Sequence, residues 1–132
     1  MAEYGEWNRK GATLSDATAL KEYGVTREFI VEGIRAVYGR VRSKVPGAKI
    51  ILMAIFPREQ SPLDPRRILI NEINRQLAVF AKEHELTFVD IGPQFLAPDG
   101  TILPGLTSDW THPTDKGYQI WADAIRPYIM AP

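Results

Sequence analysis

The sequence predicts an α/β layered domain with two parallel strands and about three main helices. Three observations predict it. A nearly unbroken apolar run, KIILMAIF at residues 49–56, is closed by Pro57. A second short run rich in β-formers, TFVDIG at residues 87–92, ends at Gly92-Pro93. Helical periodicities precede, separate and follow the two runs, and this alternation builds α/β domains with right-handed crossovers.

The first run reads as a strand covered on both faces, because parallel strands flanked by helices lose the polar alternation of a half-exposed sheet. The second is shorter and carries Thr, Phe, Val and Ile. Thr26 is a candidate cap for a helix running to about Ser43, with Ile30, Ile34, Val37 and Val41 on one stripe and Pro46-Gly47 ending it. Asp64-Pro65 is an N-cap followed by proline at the first helical position, and Ile70, Ile73, Leu77 and Phe80 then recur at helical spacing to about Lys82. Thr114 caps a last helix in which Tyr118, Trp121, Ala122 and Ile125 share a face, with Pro127 marking its end.

Residues 1–25 read as an irregular N-terminal segment with at most a short helix near Ser15–Tyr23. A complete five-stranded doubly wound sheet needs on the order of 150 residues or more, so 132 residues with two evident strands hold one edge of such a sheet. The stretch from Pro93 to Pro113 is long for a loop and follows a strand's carboxyl end, where open α/β sheets bind ligands. Chemistry is expected there and just after Phe56.

Composition narrows the function classes. Sixteen basic residues balance sixteen acidic ones, which gives no electrostatic reason to expect nucleic acid as a partner. No apolar run reaches the length of a membrane span. The absence of Cys excludes disulfide frameworks, thiolate zinc sites and a cysteine nucleophile. MAEYGEWNRK has no hydrophobic stretch, so no secretory signal is expected in this chain, and the compartment is left unassigned.

Two histidines are present. His84, in KEHE at a helix end, reads as a solvated C-terminal cap favoured by the helix dipole. His112 lies in Ser108-Asp109-Trp110-Thr111-His112-Pro113, with a carboxylate three positions upstream. A serine hydrolase needs an imidazole held in one tautomer, one nitrogen on a carboxylate and the other free to take a hydroxyl proton, and an Asp-x-x-His turn supplies both groups. A metal site is a poorer reading, since one imidazole and one carboxylate are too few ligands.

The segment LTSDWTHPTDKGYQIWADAIRP resembles the last sequence block of the SGNH, or GDSL-type, ester hydrolases, in which a D-x-x-H-P turn precedes a helix with a G-Y-x-x-W-A pattern. AKIILMAIFPRE, INEINRQLAVFA, FVDIGPQFLAPDG and the EGIRAV helix are also similar, in order, to the carboxyl-terminal half of that family, above all its sugar-acetylesterase and platelet-activating-factor-acetylhydrolase-like branches. The likeness covers about residues 24–128. It implies a flavodoxin-like three-layer α/β/α sandwich, of which this chain holds part, with residues 26–132 as the carboxyl-terminal portion of the hydrolase domain. It further implies Asp109 as orienting carboxylate, His112 as general base and then acid, a small ester or acetylated sugar as substrate, and no cofactor.

The family's Gly-Asp-Ser nucleophile block and its Gly and Gly-x-Asn oxyanion blocks are not found in these residues. Of the four serines, Ser15 reads as a helix-start residue, Ser43 as a helix-end residue, Ser61 as a turn residue and Ser108 as a loop residue bonding backbone. Asn8 is not at the spacing of an oxyanion donor. Trp110 is either a substrate contact or a loop aromatic packed on the last helix, and Arg58 is either a site residue or a solvated strand-end cation. Three readings follow: an incomplete ester hydrolase whose nucleophile lies upstream or in a second chain, a noncatalytic module self-associating through an open sheet edge, and a self-contained hydrolase using Ser61 or Ser15.

Overall fold

The computed structural model describes residues 17–130. Ser15 and Asn8 lie outside them. Contacts divide the chain into two compact units, Met1–Ala48 and Lys49–Pro132.

Among the described residues of the first unit one helix, α1, spans Ala17–Lys44. The short helix expected near Ser15–Tyr23 and the one expected from Thr26 are therefore one element, and residues 17–25 are helical rather than irregular. Ala, Leu, Lys and Glu between 17 and 22 are strong helix formers, and their summed preference outweighs Gly24. Thr26, reached by a helix already under way, has no orphan amides to cap. Proline at 46 ends the helix as expected, and the Arg42 guanidinium caps the exit by donating to the carbonyls of Pro46 (3.0 Å) and Ala48 (2.8 Å).

The second unit carries β1 (Ile51–Met53), α2 (Pro65–Glu83), β2 (Thr87–Val89), α3 (Gly92–Phe95) and α4 (Asp115–Met130). The strands pair in parallel, Ile51 opposite Thr87 and Met53 opposite Val89. Regular strand is shorter than the apolar run because the last ladder bond is Ala54 N–H to Val89 O. Beyond it, Ile55 turns both polar groups to Asn74 of α2, whose amide accepts from Ile55 N–H (2.7 Å) and donates to Ile55 O (2.9 Å). One side chain thus does the work of a neighbouring strand at that position.

Helix α2 begins where expected. The Asp64 carboxylate accepts from Arg66 N–H at 2.9 Å, and Pro65 occupies the first turn. Ile70, Ile73, Leu77 and Phe80 are all buried, as their spacing predicts. The helix closes through a Schellman pattern, Leu86 N–H to Ala81 O and Glu85 N–H to Lys82 O, with Glu85 in the left-handed region. His84 is the C-cap, its Nδ1 3.0 Å from Phe80 O.

Strand alternation puts Ile51, Met53, Val89 and Ile91 on one face, where Phe56, Phe95, Leu106 and Ile120, Trp121 and Ala124 of α4 complete a core. Phe88, one residue out of phase, points to the α2 side and lines a hollow with Ile70 and Ala78. The unit is therefore a three-layer stack, helix on each face of a two-stranded parallel sheet. The face of α4 is rotated from the expected one: Tyr118 is 52% exposed, while Gly117, Ile120, Trp121 and Ala124 turn inward. A buried glycine lets the helix approach the loop so closely that the contact row shifts by one residue. Pro127 lies within α4 instead of ending it. The final turn is held from outside by Lys49 Nζ, which donates to Tyr128 O at 2.7 Å. No described helix is long and apolar enough to cross a membrane.

Candidate active site

The segment from Pro93 to Pro113 is ordered by two closures. Leu96 bridges Ile102, with Ala97 N–H to Thr101 O and Gly100 N–H to Ala97 O forming the turn between them. Thr107 bridges Pro113, and Ser108 N–H donates to His112 O at 3.0 Å, so residues 109–111 form the tip of a closed loop. Thr114 anchors that loop to α4. Its N–H donates to Leu106 O (2.9 Å), its hydroxyl donates to Gly105 O (2.6 Å), and the same oxygen accepts from Gly117 N–H (3.4 Å) as N-cap.

At the tip, one carboxylate gathers three donors. Asp109 Oδ1 accepts from His112 N–H (2.8 Å) and Thr111 N–H (3.1 Å), and Oδ2 lies 2.7 Å from His112 Nδ1. The backbone N–H of His112 first, then its ring, then Thr111 N–H and the ring's charge, pull the Asp109 pKa down to about 2. An ionised carboxylate only accepts, so Nδ1 is the donor and the neutral imidazole leaves Nε2 as a proton acceptor. The Asp109 and His112 side chains are 53% and 74% exposed. The geometry can hold the ring in one tautomer with a basic nitrogen facing outward.

Trp110 is 38% exposed and has φ of +63°, an uncommon state for a residue with a side chain. Its carbonyl accepts from Glu59 N–H at 2.7 Å, and Glu59 is itself left-handed at φ of +64°. The turn after Phe56 and the loop before α4 are thus joined by a bond between two strained residues. Arg58 is partly buried, its Nε 3.1 Å from Glu59 Oε1.

Beneath this junction lies Arg67, 1% exposed, in the otherwise apolar face of α2. Its Nε donates to Arg58 O (2.9 Å), Nη1 to Gly100 O (2.6 Å), and Nη2 to Glu59 O and to Gln60 O (3.3 Å). Burial lowers the guanidinium pKa, opposed by the carboxylates of Asp64 and Glu59, and an arginine stays charged regardless. Sequence reasoning missed Arg67, yet the signal was present: a cation three residues before Ile70 on the apolar stripe must find partners inside.

Ser61 Oγ accepts from Leu63 N–H at 3.1 Å, the turn role expected of it, and among the described residues of the second unit neither the Ser61 nor the Ser108 hydroxyl bonds the His112 ring. Ser43 sits on the last turn of α1, in the first unit. A hollow of about 360 Å³ between α2 and the strand ends is lined by Asn71, Asn74, Asp90 and Leu96 among others, and neither Asp109 nor His112 reaches it. The loop tip, where a carboxylate and an imidazole converge, is the better candidate for the chemistry expected of that pair, which the hollow lacks.

A family model described as the GDSL-like Lipase/Acylhydrolase family matches residues 9–120. The chain is 32% identical over 110 residues to human platelet-activating factor acetylhydrolase IB subunit alpha1, covering 82% of this chain and 47% of that protein. It thus spans about half the length of the curated relatives it matches. Among solved structures, a GDSL-like lipase from Bacteroides thetaiotaomicron superposes with a TM-score of 0.67 at 22% identity, over 79% of this chain and 52% of that one. The esterase domain of the ZfL2-1 ORF1 protein from a zebrafish retrotransposon gives 0.68 at 22%, over 80% and 60%. These two share the fold. With the family model spanning most of the sequence, the chain belongs to the GDSL-like lipase/acylhydrolase family, a family of ester hydrolases.

Proposed function

We propose that this chain supplies the Asp109–His112 pair of a carboxylic ester hydrolase of the SGNH type, acting on acetyl or other short acyl esters, with the serine nucleophile and oxyanion donors furnished by protein outside these 132 residues. The observation that carries the reading is the 2.7 Å contact from His112 Nδ1 to an Asp109 carboxylate kept ionised. In the assembled enzyme the serine hydroxyl attacks the ester carbonyl while its proton passes to His112 Nε2. The tetrahedral adduct then collapses: the C–O bond to the alcohol breaks, Nε2–H protonates the departing oxygen, and an acyl-enzyme remains. Water gives a proton to Nε2 as it attacks the acyl carbon, and the same proton returns to the serine. Asp109 stays ionised throughout and keeps Nε2 free.

The test joins this chain to its upstream coding sequence, or to a separate Ser-bearing segment, and measures hydrolysis of p-nitrophenyl acetate. Turnover that disappears in His112→Ala is expected, whereas a folded, inactive assembly counts against the reading. A second reading, a noncatalytic module, draws on one observation: among the described residues β1 pairs only with β2. A soluble monomer by light scattering would count against it.

A further inference from the structure

We infer that Arg67 is a positioning residue for the Asp109–His112 loop, acting through two successive peptide planes. Its relevance to catalysis rests on the reading of that pair given above, but the mechanical claim stands on the bond geometry alone. A peptide unit is planar, so a group that fixes its carbonyl also aims the N–H on the other side of the same plane. Arg67 Nε holds Arg58 O at 2.9 Å, and the N–H of that same peptide unit belongs to Glu59. Glu59 N–H donates to Trp110 O at 2.7 Å, and the N–H of the Trp110 peptide unit belongs to Thr111. Thr111 N–H donates to Asp109 Oδ1 at 3.1 Å. Two rigid plates thus run from a buried guanidinium to the carboxylate that orients the imidazole.

Two further features favour this reading over simple core filling. A charge placed in an apolar helix face is costly to desolvate, and here every bond goes to a loop carbonyl: Arg58, Glu59 and Gln60 on one side, Gly100 on the other. The planar fork suits several carbonyls at fixed angles, which a lysine ammonium cannot reproduce. The residues on either side of the central bond, Glu59 and Trp110, both have positive φ. Such strain persists only where the surroundings over-determine it, and three bonds to successive carbonyls of the 58–60 turn do so.

The experiment uses the 132-residue chain and reads amide hydrogen exchange at Thr111, with the His112 ring-proton resonance as a second signal and exchange at Leu77 in α2 as the reference for global stability. Three variants are compared: Arg67→Met, Arg67→Lys, and replacement of the Glu59 backbone N–H by an ester oxygen. Loss of one net hydrogen bond speeds local exchange by about fivefold to tenfold. All variants that fold are expected to show that acceleration at Thr111 relative to Leu77, with a shifted or broadened His112 ring proton. Unchanged Thr111 exchange in the ester variant, or in whichever Arg67 variant folds, overturns the inference. Failure of the catalytic reading is seen separately, as turnover surviving in His112→Ala while the exchange results stand.

Discussion

Asp109→Asn is the sharpest perturbation of the loop tip, because it changes one atom's chemistry and almost none of its shape. In the native loop Oδ1 accepts from the amides of Thr111 and His112, and Oδ2 accepts from His112 Nδ1. An asparagine keeps Oδ1 and both backbone bonds, so the loop should stay closed. At the Oδ2 position it presents an NH2, which only donates, so His112 must answer with a bare Nδ1 and carry its proton on Nε2. A base already protonated on its working nitrogen cannot accept from a hydroxyl. The expected loss in kcat is roughly ten-thousandfold, the scale of a wrong-tautomer lesion in serine hydrolases. Two assays check it: p-nitrophenyl acetate turnover in the assembled enzyme, and the nitrogen-15 shifts of the His112 ring in this chain. Turnover within a few fold of the parent, or a ring still protonated on Nδ1, would refute the reasoning.

Three further outcomes are expected. Gly117→Ala should destabilise by about 1–3 kcal/mol despite alanine's higher helix preference, because its Cβ would sit 2.5 Å from Leu106 O, 3.0 Å from Pro113 Cβ and 3.3 Å from Phe95 Cε2; urea unfolding measures it, and the Asp109–His112 contact should loosen with it. Asn74→Ala leaves both polar groups of Ile55 without their partner, for a loss of about 1–3 kcal/mol in the same measurement. Acid should weaken the fold through Asp109 and Asp64. Both carboxyls have folded-state pKa values below the unfolded value of about 3.9, so their contribution is full above it and fades as pH falls, to about pH 2 for Asp109. Urea midpoints at pH 5, 3.5 and 2.5 should decline in that order, with a shallower decline in Asp64→Asn.

How far the sequence reaches differs from element to element. The stripe Ile70, Ile73, Leu77 and Phe80 and the Asp64-Pro65 cap specify α2 outright, because periodicity and capping are local chemistry carried within one or two turns. Likewise Asp109 and His112 meet because they stand three positions apart in a tight turn, so their contact needed no distant partner to be foreseen. Thr26 misled for the complementary reason: a cap is meaningful only where a helix starts, and helix formers upstream carried α1 through it. The inward face of α4 also escaped prediction. Periodicity placed Tyr118 inside, but the helix rotates to bring Gly117 against Leu106 O, a contact between segments that no local pattern encodes.

The order of elements, the hydrophobic stripes and the carboxylate–imidazole turn are all legible in the residues alone, since each follows from spacing along the chain. How that turn is held emerges only once the chain has folded. The bonds from Arg67 to Arg58 and Gly100, and from Glu59 to Trp110, span 9, 33 and 51 positions, and they depend on peptide planes whose orientation is set by packing. Backbone carbonyls are identical at every residue, so no sequence pattern marks which of them a buried guanidinium will find; only the folded chain brings them around it.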